Sequence, residues 1–211
     1  MDLKGEYNDS SSCRPPNGST YLTIGQDLFA INEYVISMYN ASLHSGSDAP
    51  LSSFIPAAFM FYTDIASLNG TSTPTDYGSG VEYSQGVFEL FPNQSSGLQV
   101  GLWLFGANGC RKIVSGQMDE EIDHLVHFLE TSPASKIFLR IGYEFDNPYF
   151  NYSSNPKAYV AAFQRIVTVC QEKLSHTALS KVKFVWHSWA ASLLETKQLQ
   201  EFYPGDLFVD W

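Results

Sequence analysis

"IFLRIGYEFDN", residues 137–147, decides how the rest of the chain is read. Successive side chains of a strand point to opposite faces. Ile137, Leu139, Ile141 and Tyr143 therefore share one face, and Phe138, Arg140, Gly142 and Glu144 share the other. One face is aliphatic; the other carries a guanidinium and then a carboxylate. A surface strand would alternate apolar with polar along its whole length. This one is expected to be covered by helices on its aliphatic face and to turn the other toward a crowded polar interior.

The segments on either side fit that expectation. Upstream, "MDEEIDHLVHFLE" places Ile122, Leu125, Val126 and Leu129 on one helical face, with Asp119, Glu120 and Glu121 at the positive end of the dipole. Downstream, "NPKAYVAAFQRIVTVCQEKL" opens with Pro156, which pre-sets helical geometry, and aligns Tyr159, Phe163, Ile166, Val167, Cys170 and Leu174 as a buried stripe. Other β-type runs are "YLTIG", "FIPAAFMFY", "LQVGLWLF" and "KVKFVWHSW", and "LFVDW" begins a last one. A helical pattern with Ile31, Tyr34, Val35 and Met38 follows the first of them. β runs mostly separated by helical patterns predict βα units and a parallel sheet.

A doubly wound sheet and a closed barrel both fit that alternation, and parity separates them. In a doubly wound sheet both strand faces meet helices and read as near-continuous aliphatic. In a (β/α)8 barrel one face meets helices while the other fills the interior in layers. "LQVGLWLF" repeats the split, with Val100, Leu102 and Leu104 on one face and Gln99, Gly101, Trp103 and Phe105 on the other. The barrel is favoured. Such barrels run to about 250 residues and eight strands. The expectation is an α/β fold of (β/α)8 TIM-barrel type, incomplete, with about six of eight βα units over residues 21–211. Residues 1–20, rich in Ser, Pro, Gly and Asn, read as a polar lead-in.

Composition narrows the function. The chain has 211 residues, 44% of them hydrophobic and only 16% charged, which excludes wholesale disorder. Its 12 basic and 22 acidic residues give a formal charge of −10, which argues against nucleic acid and anionic membranes and favours a neutral partner. No apolar run reaches the length of a membrane span. The opening residues hold no apolar h-region, so no signal peptide is expected within the chain. Yet Asn8, Asn17, Asn40, Asn69, Asn93 and Asn151 all stand in glycosylation-type sequons, which points to an extracellular, secreted glycoprotein. Cys13, Cys110 and Cys170 have no metal-type spacing and allow at most one internal disulfide.

Active sites of such barrels lie at the C-terminal ends of the strands. Glu144 falls there, on the inward parity, with Gly142 leaving room beside it and Arg140 beneath it. The competing reading is a buried Glu144–Arg140 ion pair that only fixes the strand. Asp146 shares the parity of Glu144 but reads as a turn residue capping "DNP". His187 and Trp189 close the next strand, where "WHSW" offers a stacking platform and a polar contact. Asp76 and Tyr77, in "TDYGSG", sit in a long loop of the kind that borders a site. His124 and His127 read as the solvated face of an acidic helix; neither a metal nor a cofactor is expected.

"FLRIGYEFD", "AYVAAFQRIV", "KFVWHSW" and "FYPGDLFVDW" together resemble glycoside hydrolase family 26, the β-mannanase family of the (β/α)8 retaining glycosidases. The resemblance runs from about residue 21 to the end and is sharpest over 137–211. It implies that Glu144 is the general acid/base; strand-end and loop positions make Tyr143, Trp103, His187, Trp189, Asp76 and Tyr77 the candidates for substrate binding, with Arg140 and Asp146 in support. It also implies a neutral, mannan-type β-glycan as substrate and retaining double displacement in a full-length parent. The nucleophile would lie at the end of a seventh strand, beyond Trp211. Family members usually place His before the acid/base, whereas Tyr143 stands here, and "DNPYFNY" replaces the Trp-rich segment that commonly follows. A non-catalytic carbohydrate-binding barrel and an inactive truncated product are the alternatives.

Overall fold

The computed structural model describes residues 22–25, 33–34, 36–37, 56–72, 75–76, 81–82, 84, 88, 96–190, 192 and 194–211. The polar lead-in over 1–20 lies outside them, as do Tyr77, Cys13 and most of the first helical pattern, of which residues 33–34 and 36–37 are helical.

Seven strands are described: β1 (Thr23–Ile24), β2 (Ala58–Asp64), β3 (Thr75–Asp76), β4 (Val81–Glu82), β5 (Gly97–Trp103), β6 (Ile137–Ile141) and β7 (Val182–Val185). Five of them form a sheet in the order β1-β2-β5-β6-β7, and every pairing in it is parallel. β3 and β4 pair antiparallel as a separate two-stranded ribbon. Asp76 is thus part of a ribbon rather than of an unstructured loop. The helices are α1 (Gly106–Val114), α2 (Asp119–Thr131), α3 (Pro156–Lys173), α4 (His176–Lys181) and α5 (Thr196–Gln200).

The strand order follows the chain order without reversal. Parallel crossovers are right-handed, so an order that never reverses puts every crossover on one face of the sheet. A doubly wound sheet needs a reversal and then has helices on both faces. The burial agrees. Phe59, Phe61, Leu98, Val100, Leu102, Ile137, Leu139 and Ile141 form one cluster with Ile113, Ile122, Leu125, Tyr159, Phe163 and Ile166 from the helices. On the opposite face Met60, Tyr62, Gln99, Trp103, Phe138, Lys183 and Val185 are only half-buried. The fold is α/β with helices on one side of a parallel sheet, consistent with part of a barrel wall.

Local signals explain the helices. Asn155 caps α3 by accepting from the Ala158 N–H at 3.1 Å, with Pro156 just inside. Tyr159, Phe163, Ile166, Val167 and Cys170 are its buried stripe, while Leu174 is already the C-terminal cap. α2 buries Ile122, Leu125, Val126 and Leu129, joined by Phe128. Cys110 in α1 and Cys170 in α3 are buried, unpaired thiols, each pushed up to about 12 by burial.

Three expectations need correction. The strand read through Glu144 stops at Ile141, because Gly142 (φ 57°) takes a left-handed conformation that no strand can contain. Tyr159 packs there so closely that a Cβ on Gly142 would lie 2.6 Å from its ring. "KVKFVWHSW" is strand only over Val182–Val185, so His187 and Trp189 belong to the loop after it. "LFVDW" forms no strand, although the Asp210 N–H donates to the Phe184 carbonyl at 2.9 Å and the Trp186 N–H to that of Trp211 at 2.9 Å.

Candidate active site

β5, β6 and β7 end side by side, and the residues beyond their ends make the candidate site. After Ile141 each residue of the β6 turn has its own anchor. Tyr143 lies against Tyr62 (centroids 4.9 Å apart) and Phe150 (5.3 Å). Phe145 goes into the core, stacked on Trp186 at 4.8 Å and packed on Phe202. Asp146, only 4% exposed, accepts from the Trp189 N–H at 2.6 Å and the Ser188 hydroxyl at 3.0 Å. Asn147 caps the 3-10 turn Pro148–Phe150 by accepting from the Tyr149 N–H at 3.0 Å. The cap of "DNP" is therefore Asn147, and Asp146 instead ties this turn to the loop after β7.

Glu144 sits in the middle of that anchored turn, half-buried, in a left-handed conformation (φ 52°). A non-glycine residue there costs about 1–3 kcal/mol and persists only where its surroundings over-determine it. One of its carboxylate oxygens, Oε2, accepts from the Asn147 amide at 2.9 Å, and its backbone N–H faces His187 Nδ1 at 3.4 Å.

Arg140 does not pair with Glu144. Its side chain is buried on the half-open face, where Nη2 donates to Met60 Sδ at 3.4 Å and Nη1 lies 3.5 Å from His187 Nε2. The guanidinium stands 5.0 Å from the Tyr62 ring and 5.7 Å from that of Tyr143, within cation–π range of both. Among the described residues Arg140 has no carboxylate partner. Parity failed here for a physical reason: once Gly142 reverses the backbone, Tyr143 moves to the Arg140 face and the carboxylate leaves it. Gly101, on β5 between them, makes the contact between β2 and β6 side chains feasible. A Cβ at that position would lie 2.4 Å from the Tyr62 ring and 3.0 Å from Arg140 Nη2.

His187 is held between two donors, the Glu144 N–H and the Arg140 guanidinium. Burial and then the charge of Arg140 push its pKa below the ordinary 6.5, against the opposing pull of Glu144 and Asp146. The imidazole is therefore neutral at pH 7 and can accept from one of the two donors at a time. Trp189, half-buried, is tied to Asp146 through its backbone. Trp103, half-buried on the same sheet face as Arg140, packs against Phe105 with centroids 4.2 Å apart and planes tilted by 37°. The side chain of Asp76 and all of Tyr77 fall outside the described residues. His124 and His127 are exposed on α2. Among the described residues no cluster of His, Cys, Asp and Glu is arranged to hold a metal, and no helix is long and apolar enough to cross a membrane.

The structure thus gathers Glu144, Tyr143, His187, Trp189, Arg140 and Asp146 around two neighbouring loops, with Trp103 on the adjoining strand. Tyr62, Phe105, Asn147 and Phe150 escaped the sequence reading. Asn147 left a signal, since Asn before Pro marks a turn or cap, and Phe105 left another in its parity with Trp103.

No family model matches the chain. Among curated proteins it is similar to a β-1,3-xylanase of Alcaligenes sp. and to the β-1,3-xylanase TXYA of Vibrio sp.. Each is 25% identical over 198 residues, a stretch that is 93% of this chain and 37% of the relative. The chain thus spans just over a third of the length of these relatives.

Proposed function

We propose that this mouth binds a neutral β-glycan and cleaves its glycosidic bonds, with Glu144 as general acid/base, within a (β/α)8 barrel to which the five-stranded sheet belongs. The observation that carries the reading is Glu144 itself: a half-buried carboxyl, held in a costly backbone conformation by an anchored turn, at the C-terminal edge of a parallel sheet. The two curated relatives support the hydrolytic chemistry, and their names make β-1,3-xylan the first substrate to try. The resemblance to family 26 adds mannan as the second. A charge of −10 suits a neutral polysaccharide.

In this reading Asn147 fixes one oxygen of Glu144 and so orients the other for proton transfer to the departing glycosidic oxygen. Retaining hydrolysis needs a second carboxylate about 5–5.5 Å away to attack the anomeric carbon. Asp146, buried with both oxygens engaged, is unsuited to that role. Its part is to hold the loop bearing His187 against the turn bearing Glu144. Secretion belongs to the same proposal: Asn69 and Asn151, both in sequons, are exposed and open to glycosylation.

The test is Glu144→Gln in a protein that includes the barrel's seventh strand, assayed by release of reducing ends from β-1,3-xylan and from mannan. A general acid/base contributes about 10²–10⁴-fold, so turnover should fall by that factor with the melting temperature nearly unchanged. Wild-type turnover in the variant would overturn the catalytic assignment. Binding of either glycan without cleavage by a wild-type protein that includes the barrel's seventh strand would favour the non-catalytic, carbohydrate-binding alternative.

A further inference from the structure

β5 and β6 leave the sheet side by side. Leu102 pairs with Ile141 at the last rung of their ladder. Three residues beyond that rung on each strand stand Phe105 (φ 60°) and Glu144 (φ 52°), both left-handed and neither a glycine. The two strand exits are bound together. The Tyr152 hydroxyl accepts from the Leu104 N–H at 2.9 Å, the Asn151 carbonyl accepts from the Ala107 N–H at 3.2 Å, and a Cβ on Gly106 would lie 2.5 Å from the Phe150 carbonyl.

Phe105 is the wrong residue for its place on every local criterion. It is the N-cap of α1 and makes no side-chain capping bond. At such a position Asn, Asp, Ser or Gly would stabilise the helix, and in a left-handed conformation Gly or Asn would relieve strain. Nor does full burial account for it, because the residue is 38% exposed. Its neighbour Trp103, whose ring packs against it with centroids 4.2 Å apart and planes tilted by 37°, lies on the half-open sheet face and has a buried indole N–H with no acceptor among the described residues.

Resting on the reading given under Proposed function, we infer that Phe105 is a substrate-binding residue. Its ring, backed by Trp103, forms a platform for the apolar face of a sugar unit beside the one attacked at Glu144. A left-handed aromatic persists here because the ring serves the ligand rather than the fold.

Two truncations separate ligand binding from structure. Phe105→Gly and Phe105→Ala both remove the ring, but only glycine fits the backbone without strain. Titration with β-1,3-xylo-oligosaccharides and with manno-oligosaccharides, followed by calorimetry, should show both variants weakened on the order of tenfold or more, as for loss of an aromatic anchor. Phe105→Gly should melt above Phe105→Ala by about 2–4 °C and close to wild type. Wild-type affinity in the glycine variant would overturn the platform while leaving the proposed activity standing. A glycine variant melting well below wild type would also overturn it, since the ring would then be structural. A wild-type chain that binds neither sugar overturns the glycan reading and the platform together.

Discussion

The two faces of the main sheet are made by alternate residues of the same strands and are held by different forces. Toward the helices stand Phe59, Phe61, Val100, Leu102, Leu139 and Ile141, each 0% exposed. Their contribution is apolar area removed from water, which depends on volume more than on identity. On the other face, one residue along each strand, Arg140 meets Met60, Tyr62, Tyr143 and His187 through contacts that need those particular groups. The helix-side face makes the fold stable. The other, half open, holds a cation, an imidazole and a carboxylate-bearing turn in a fixed relation.

Three changes break or sharpen that contrast. The largest effect belongs to the helix side: Leu139→Ala should lower stability by about 2–5 kcal/mol in urea unfolding, and a loss below about 1 kcal/mol would mean that this face is not the core. Asp146→Ala comes next. It strips the Trp189 N–H of its acceptor and leaves the Ser188 hydroxyl only the Trp189 carbonyl at 3.3 Å, so about 1–3 kcal/mol should be lost. Tryptophan fluorescence should report the loosened loop; an unchanged spectrum and melting point would show that the tie is dispensable.

Arg140→Met should have the smallest effect on stability, within about 1 kcal/mol, because an apolar chain of similar reach replaces a buried cation with no carboxylate partner among the described residues. Its signature is in pH. The pKa of His187 is lowered in the fold, so as pH falls below the unfolded value near 6.5 the unfolded chain binds a proton that the native state resists. Stability is therefore kept above that pH and lost as pH falls through the folded value. Removing the Arg140 charge should raise the His187 pKa in an NMR titration and make the acid-side loss shallower. A pKa that stayed put or fell would assign the lowering to burial alone.

Much of this architecture was legible because period-two and period-3.6 patterns follow directly from backbone geometry. The split in "LQVGLWLF" foretold a sheet with helices on one side, and the stripes of "MDEEIDHLVHFLE" and "AYVAAFQRIV" foretold α2 and α3. Parity stops working where the backbone leaves the sheet. Gly142 is a residue that reads equally well as strand or turn, and the Tyr159 ring that leaves no room for a side chain there is brought up by a helix further along the chain. From there on the expected stack of Glu144 over Arg140 could not form. Asn147 under the Glu144 carboxylate and Asp146 against the Trp189 N–H are contacts fixed by that turn and by a loop some forty residues away. No local pattern encodes them. Phe105 was hidden differently: an aromatic at a strand end looks ordinary until its backbone conformation is known.

Gly101 carries a consequence for how such a site can change by descent or in a mutational library. Tyr62, Gly101 and Arg140 lie on three adjacent strands, and the ring and the guanidinium meet over the one position that has no side chain. Any other residue at 101 must displace a ring and a charged group at once, so single-codon steps from this arrangement run downhill at that position. Routes out of it pass through coordinated replacement at 62 and 140, far apart in the gene. Libraries that randomise one of the three codons should return the starting residue at 101, and only those that vary the three together can reach a different floor for the mouth.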